Sequence, residues 1–229
     1  MKANINKIVM LTLLVLVLNS CSNVVTRGVQ YNKMYDEKPI SIVIMPPINR
    51  TNFVEAKEYF YTTLYYPLAE KGLYVFSPYL TMDLFQQESA YDSEMFLEGD
   101  LTTFKNVLNA DAAMFTIIKS WNRKSLGTAI KVNIEYILRS TTTGETLYKR
   151  EGLITLDMSQ NSGGGSLLGI AIDLVSTAIV SATTEKVEVG RICNTHVLED
   201  MPVGKYDNSY LIDSTAYAGK PFIKQTYSK

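Results

Sequence analysis

Ile40-Ser41-Ile42-Val43-Ile44-Met45-Pro46-Pro47 sets the architecture of the chain. The run is apolar apart from Ser41, lacks the polar alternation of a half-exposed strand, and is closed by two prolines that cannot donate to a ladder. Such a segment is a strand covered on both faces, as in the interior of an α/β sheet. We take it as the candidate central strand.

Downstream, Thr51 or Asn52 caps a helix on which Phe53, Ala56 or Lys57, Phe60, Leu64 and Leu68 recur at spacings of three and four. Pro67 removes an amide and restricts Tyr66, so this helix kinks or restarts there. Gly72 ends it, and Leu73 to Phe76 forms the next strand. Ser77-Pro78 opens a helix to about Glu88, with proline in its favoured first turn. Ala90 to Gly99 is acidic and irregular, and Asp100 then caps a helix over Leu101 to Leu108 with Phe104, Val107 and Leu108 inward. Ala112 to Trp121 is a third strand. The order strand, helix, strand, helices, strand predicts right-handed crossovers and parallel pairing.

After Trp121 the period changes to two. Ile130, Val132, Ile134, Tyr136 and Leu138 alternate with Lys131, Asn133, Glu135 and Ile137, which predicts a half-exposed strand. Thr141 to Gly144 turns the chain, and Glu145 to Met158 returns antiparallel with Ile154, Leu156 and Met158 on one face. Asn161 to Ser166 is a glycine-rich link into a helix from Leu167 to about Glu185, along which Gly165, Gly169, Asp173, Thr177 and Ser181 form a small or polar stripe. The expectation is one α/β domain over residues 39–189, with a mixed parallel and antiparallel sheet of about five strands covered by helices. Residues 190–229 are expected to be a loop-rich C-terminal extension.

At the other end, Lys2 and Lys7 precede an apolar run from Ile8 to Leu18, a secretory signal over residues 1–20 and too short to span a bilayer stably. Leu18-Asn19-Ser20-Cys21 resembles the recognition box of bacterial lipoproteins, which implies cleavage before Cys21 and acylation of its thiol. Ser22 and Asn23, with no Asp after the cysteine, favour the outer membrane, periplasmic face. Residues 21–38 read as a polar, lipidated tether. Once Lys2 and Lys7 leave, 20 cationic side chains face 23 anionic ones, a net charge of −3 that gives no electrostatic reason to bind nucleic acid.

Chemistry is sparse. His196 is the one histidine and lies three residues after Cys193, yet neither structural nor catalytic zinc is served by two ligands. A buried thiol and a solvated imidazole are expected, with no catalytic residue, metal or cofactor. Gly163-Gly164-Gly165 lacks the Lys-Ser/Thr of a phosphate loop and reads as a hinge. Tyr59, Tyr61, Tyr65 and Tyr66 crowd the first helix beyond its core stripe and form a candidate interface, as do Gly165, Gly169, Asp173 and Thr177. The helix from Leu167 is a core helix by default, with subunit or partner packing next. The functional expectation is binding of other envelope proteins. The competing class is a small-ligand or enzymatic site at the strand ends near Pro46-Pro47.

Val43 to Asn49, Tyr66 to Val75, Asn109 to Ala113, and Asn161 to Gly165 before Leu167-Leu168-Gly169 together resemble a family of bacterial lipoproteins that includes a meningococcal surface-antigen lipoprotein. The resemblance implies a compact α/β domain similar to the N-terminal domain of the periplasmic Tol-system protein, and a homodimer. It also implies a shared assembly with a curli-secretion-channel-like lipoprotein, and it brings no catalytic residues. Cys193 to Lys229 shows no pattern matching that family.

Overall fold

The apolar run at Ile40 becomes β1 (Ser41–Ile44). Ile42, Val43, Ile44 and Met45 are all fully buried because both faces of the strand meet helices. Ile42 and Ile44 join a cluster with Phe60, Leu64 and Leu68, whereas Val43 and Met45 join a second with Phe85, Leu101 and Phe104. Burial on both faces is what removes polar alternation from the sequence.

The computed structural model describes residues 25–87, 91–123, 129–157 and 178–228. Within them the strands after β1 are β2 (Ile48–Asn49), β3 (Tyr74–Val75), β4 (Ala112–Arg123), β5 (Ala129–Ser140), β6 (Thr146–Asp157) and β7 (Phe222–Ser228). The sheet order is β3-β1-β4-β5-β6-β7, with β2 beside β4. β1 pairs parallel with β3 and β4, β4-β5-β6 is an antiparallel meander, and β7 returns parallel to β6. The sheet is therefore mixed, as expected. It has seven strands where about five were expected, because the two-residue β2 and the C-terminal β7 carry too little pattern to be read. β1 lies one strand in from an edge, while β4 and β5 hold the centre.

The helices are α1 (Arg27–Gln30), α2 (Asn32–Glu37), α3 (Ala56–Glu70), α4 (Pro78–Gln87), α5 (Glu94–Leu97), α6 (Thr102–Leu108) and α7 (Ala178–Val197). α3 and α7 cover one face of the sheet, and α4 and α6 cover part of the other. α3 and α7 touch backbone to side chain: a Cβ on Gly190 would lie 2.6 Å from the Tyr59 carbonyl oxygen, so only glycine fits this crossing. Beside it the buried Asn194 donates through Nδ2 to Phe60 O at 3.1 Å and Thr63 Oγ1 at 2.8 Å, and its Oδ1 accepts from the Tyr136 hydroxyl on β5. One amide thus joins two helices and the sheet, and leaves no donor or acceptor of its own unused.

Several expectations are corrected. Thr51 and Asn52 do not cap α3. Instead Asn49 Oδ1 accepts from the amide and hydroxyl of Thr51 at 3.0 and 2.7 Å, making a turn that delays the helix to Ala56. α3 runs through Pro67 to Glu70 without restarting, and Gly72, at φ +72°, turns the chain into β3. Val107 points outward, since α6 buries Phe104 alone. β5 is not half-exposed over its length, because Glu135 and Ile137 on its second face are buried.

The ends depart most. The expected tether contains α1 and α2, with Tyr31 and Met34 in the core. Helices of four and six residues show no sustained period, and these are held by contacts far away in sequence. The expected C-terminal extension begins inside α7, which continues through Gly190 to Val197, and it ends in β7. Gly190, read as the start of the loop-rich extension, instead serves a close helix crossing, and of β7 Ile223 and Tyr227 pack against the core.

Candidate functional site

Of the four tyrosines singled out, α3 separates two from the rest. Tyr61 is buried, donating to Pro78 O at 2.8 Å in the first turn of α4, and burial pushes its hydroxyl up to about 12. Tyr59 is half-buried and donates to Glu55 Oε2 at 3.0 Å. Tyr65 and Tyr66 remain 42 % and 59 % exposed. The α4 turn that receives Tyr61 carries exposed Tyr79 and Leu80, and β3 carries exposed Tyr74. Those three were missed by reasoning from sequence; Tyr79 and Leu80 do lie off the Thr81 and Phe85 face of α4, which was the available signal.

Pro46 and Pro47 are both buried, so the strand end proposed to line a ligand site is filled. A groove of about 600 Å³ opens one strand further on, between the Arg50–Phe53 turn and the end of β4 from Lys119 to Arg123, with Ile130 and Lys186 in its wall. Phe53 packs against Trp121 with tilted rings 4.8 Å apart, and Lys186 Nζ sits 5.0 Å over the Phe53 ring. Three of the four groove cations already hold carboxylates: Arg50 pairs with Glu94 at 3.1 Å, Lys186 with Glu55 at 2.9 Å, and Lys119 with Glu151 at 2.7 Å and Glu135 at 3.1 Å. The groove is basic in its lining and largely neutralised by its surroundings.

Cys193 and His196 do not converge. Cys193 is buried in the core, and burial pushes its thiol well above the usual range. His196 is stacked on Tyr227 of β7 at 4.2 Å rather than solvated, and burial lowers its pKa against the opposing Glu199 carboxylate. Both side chains pack the fold.

The segment that was expected to be a tether is clamped to the body by charge. Tyr31 donates to Asp200 Oδ2 at 2.6 Å, and Arg27 meets Asp200 Oδ1 at 3.3 Å and Asp213 Oδ2 at 3.5 Å. Both carboxylates are buried. Lys71 donates to Glu199 O at 2.9 Å in the same cluster, and burial, with help from Arg27, lowers its pKa to about 8. Arg150 closes the far side on Val197 O and Lys220 O. Buried ions this closely packed are costly to separate, so this end of the chain is fixed rather than trailing. Leu18, Asn19, Ser20, Cys21, Gly165, Gly169, Asp173 and Thr177 lie outside the described residues.

Comparison with known proteins places these features. A curated relative from Neisseria meningitidis serogroup B, described as putative lipoprotein NMB1124/NMB1162, is 21% identical over 174 residues, covering 75% of this chain and 80% of its own. The crystal structure of lipoprotein GNA1162 from Neisseria meningitidis is similar at a TM-score of 0.49 and 20% identity, over 66% of this chain and 99% of that one. The C-terminal domain of LpoB from Salmonella enterica is similar at a TM-score of 0.36 and 18% identity, over 56% of this chain and 94% of that one. The family match itself spans residues 29–205, running past Cys193, where the sequence pattern alone had shown no likeness. The chain belongs to the family described as Putative lipoprotein GNA1162-like.

Proposed function

We propose that this lipoprotein is held by an acylated Cys21 on the periplasmic face of the outer membrane and acts there by binding other envelope proteins, without catalysis. The observation that carries the reading is the exposure of Tyr65 and Tyr66 on α3 and of Tyr79 and Leu80 on the α4 turn that receives Tyr61. Rings held on a helix offer large contact area at little entropic cost, and burying one in an interface contributes on the order of 2 kcal/mol. A second copy of the chain and another envelope lipoprotein, such as a curli-secretion-channel-like one, are the partners this surface is read for. A photo-crosslinking residue placed at Tyr66 in the native envelope should give discrete protein adducts, and one at the solvent-facing Lys131 should not. Equal, diffuse yields from both positions overturn the reading. The anchor is tested separately: Cys21→Ala should abolish labelling by acyl chains, and retained labelling refutes it.

A further inference from the structure

We propose that the face built from Val25, Val29, Leu211, Ile212 and Tyr217 rests directly on the bilayer that holds the Cys21 acyl chains, with its apolar side chains in the interfacial layer. This rests on the lipid-anchor reading above. The two segments form one surface: Arg27 N donates to Ala216 O at 2.8 Å, and Ala218 N to Val25 O at 2.8 Å. Thr26 bridges Tyr217, and a Cβ on Gly28 would lie 3.0 Å from Ser214 O. On this surface Val29 is 69 %, Ile212 70 % and Tyr217 74 % exposed. Large apolar side chains gathered on adjoining segments mark a contact surface, unlike scattered single ones.

Charge agrees with a lipid occupant. Val25 to Tyr35 contains no carboxylate, and the single one between Leu211 and Phe222, Asp213, is buried against Arg27. Lys220 is exposed beside Tyr217. An aliphatic and tyrosine face with a lysine at its border suits the interface, where one end of each side chain is apolar and the other wet.

Chain length decides between a bilayer and a distant protein. Ser22, Asn23 and Val24 alone separate Cys21 from Val25. Four fully extended steps reach at most about 14 Å, and the acylated sulfur itself lies at headgroup level. Because Arg27 and Tyr31 are locked to Asp200 and Asp213, the body cannot pay out further chain from this end. The face nearest the anchor therefore stays within about 14 Å of the headgroup layer, close enough to rest on it.

The test uses the full lipid-modified protein in vesicles of phosphatidylethanolamine and phosphatidylglycerol, with nitroxides at Ile212→Cys, Tyr217→Cys or Val54→Cys. Native thiols do not compete, since Cys193 is buried and Cys21 is acylated. Val54 is exposed just before α3, whereas Lys71 at the other end of that helix joins the clamp, so Val54 reports the far end of the domain. Collisions with a water-soluble nickel complex should fall about fivefold at Ile212 and Tyr217 on reconstitution, with oxygen collisions rising and no change at Val54. Unchanged nickel access at Ile212 and Tyr217, with Cys21 shown by mass to be acylated, overturns the face and leaves the anchor standing. Spin–spin broadening at Ile212 puts a second copy there and also overturns it. A bare Cys21 thiol overturns anchor and face together.

Discussion

The two halves of the sheet are covered differently. β1 and the first part of β4 are sandwiched between α3 on one side and α4 and α6 on the other. β5 and β6 receive α7 on one face, with α2 against β6, and at Glu135 their second face carries charge: Lys119 bridges Glu135 and Glu151, which stand opposite one another in register. Where helices close both faces the sequence must be apolar throughout; where they close one, the other can be held by ions. Truncating side chains on each face in turn should show the difference most strongly. Ile44→Ala and Val43→Ala should both destabilise, by about 3 and 2 kcal/mol. On β5, Val132→Ala should cost about 2 kcal/mol and Lys131→Ala within about 0.5 kcal/mol of nothing. Urea unfolding of the four variants checks it, and tolerance of Val43→Ala would show the second layer to be loose.

Asn194 is the next test, because it fastens α7 to the covered face. Asn194→Ala leaves the Tyr136 hydroxyl and the Phe60 carbonyl buried without this partner, and should cost about 2 kcal/mol at unchanged denaturant dependence. Asn194→Asp keeps the acceptor for Tyr136 and loses the donors, so it separates the two contributions. On the open face the effect should be smaller. Lys119 is drawn down by burial but raised overall by Glu151 and Glu135, and Glu151, itself pushed up by burial, is held below its usual value by Lys119. Lys119→Met should therefore cost about 1 kcal/mol at pH 7. A carboxylate with a lowered folded pKa stabilises above its unfolded value and loses that contribution as pH falls through the folded one. The gap between wild type and Lys119→Met should accordingly narrow below about pH 4.5, seen as converging urea midpoints.

How much of this was legible follows the same division. The β1 run names both its faces and the β5 alternation names its inward one, Ile130 to Leu138, and the α3 stripe of Ala56, Phe60, Leu64 and Leu68 is buried throughout. What could not be read is what depends on distant partners. Arg27 and Tyr31 look like a polar tether until Asp200 and Asp213 are brought to them, and Gly190 looks like the start of a loop until α3 lies across it. Tyr61 and Tyr66 are alike in sequence, yet Tyr61 meets the turn at Pro78, and α3 leaves Tyr66 facing water. Period reports which face is inward and says nothing of what an outward residue meets.

The smallest expected effect lies where β7 joins the covered face. Its Tyr227 stacks on His196 near the end of α7, so the last strand is fastened to the helix through an imidazole that burial disfavours as a cation, with Glu199 opposing. A histidine whose folded pKa is lowered takes up protons more readily in the unfolded chain. Its neutral form supports folding above the unfolded pKa of about 6.5, and that support is lost as pH falls below it. His196→Phe keeps the stacked ring and cannot titrate. It should match wild type within about 0.5 kcal/mol at pH 7.5 and exceed it by up to about 1 kcal/mol near pH 5. Hydrogen exchange of the β7 amides should show the same sign, slower in His196→Phe at pH 5 and equal at pH 7.5. A uniform difference at both values would mean that the ring contact, rather than its protonation, sets the stability of this edge.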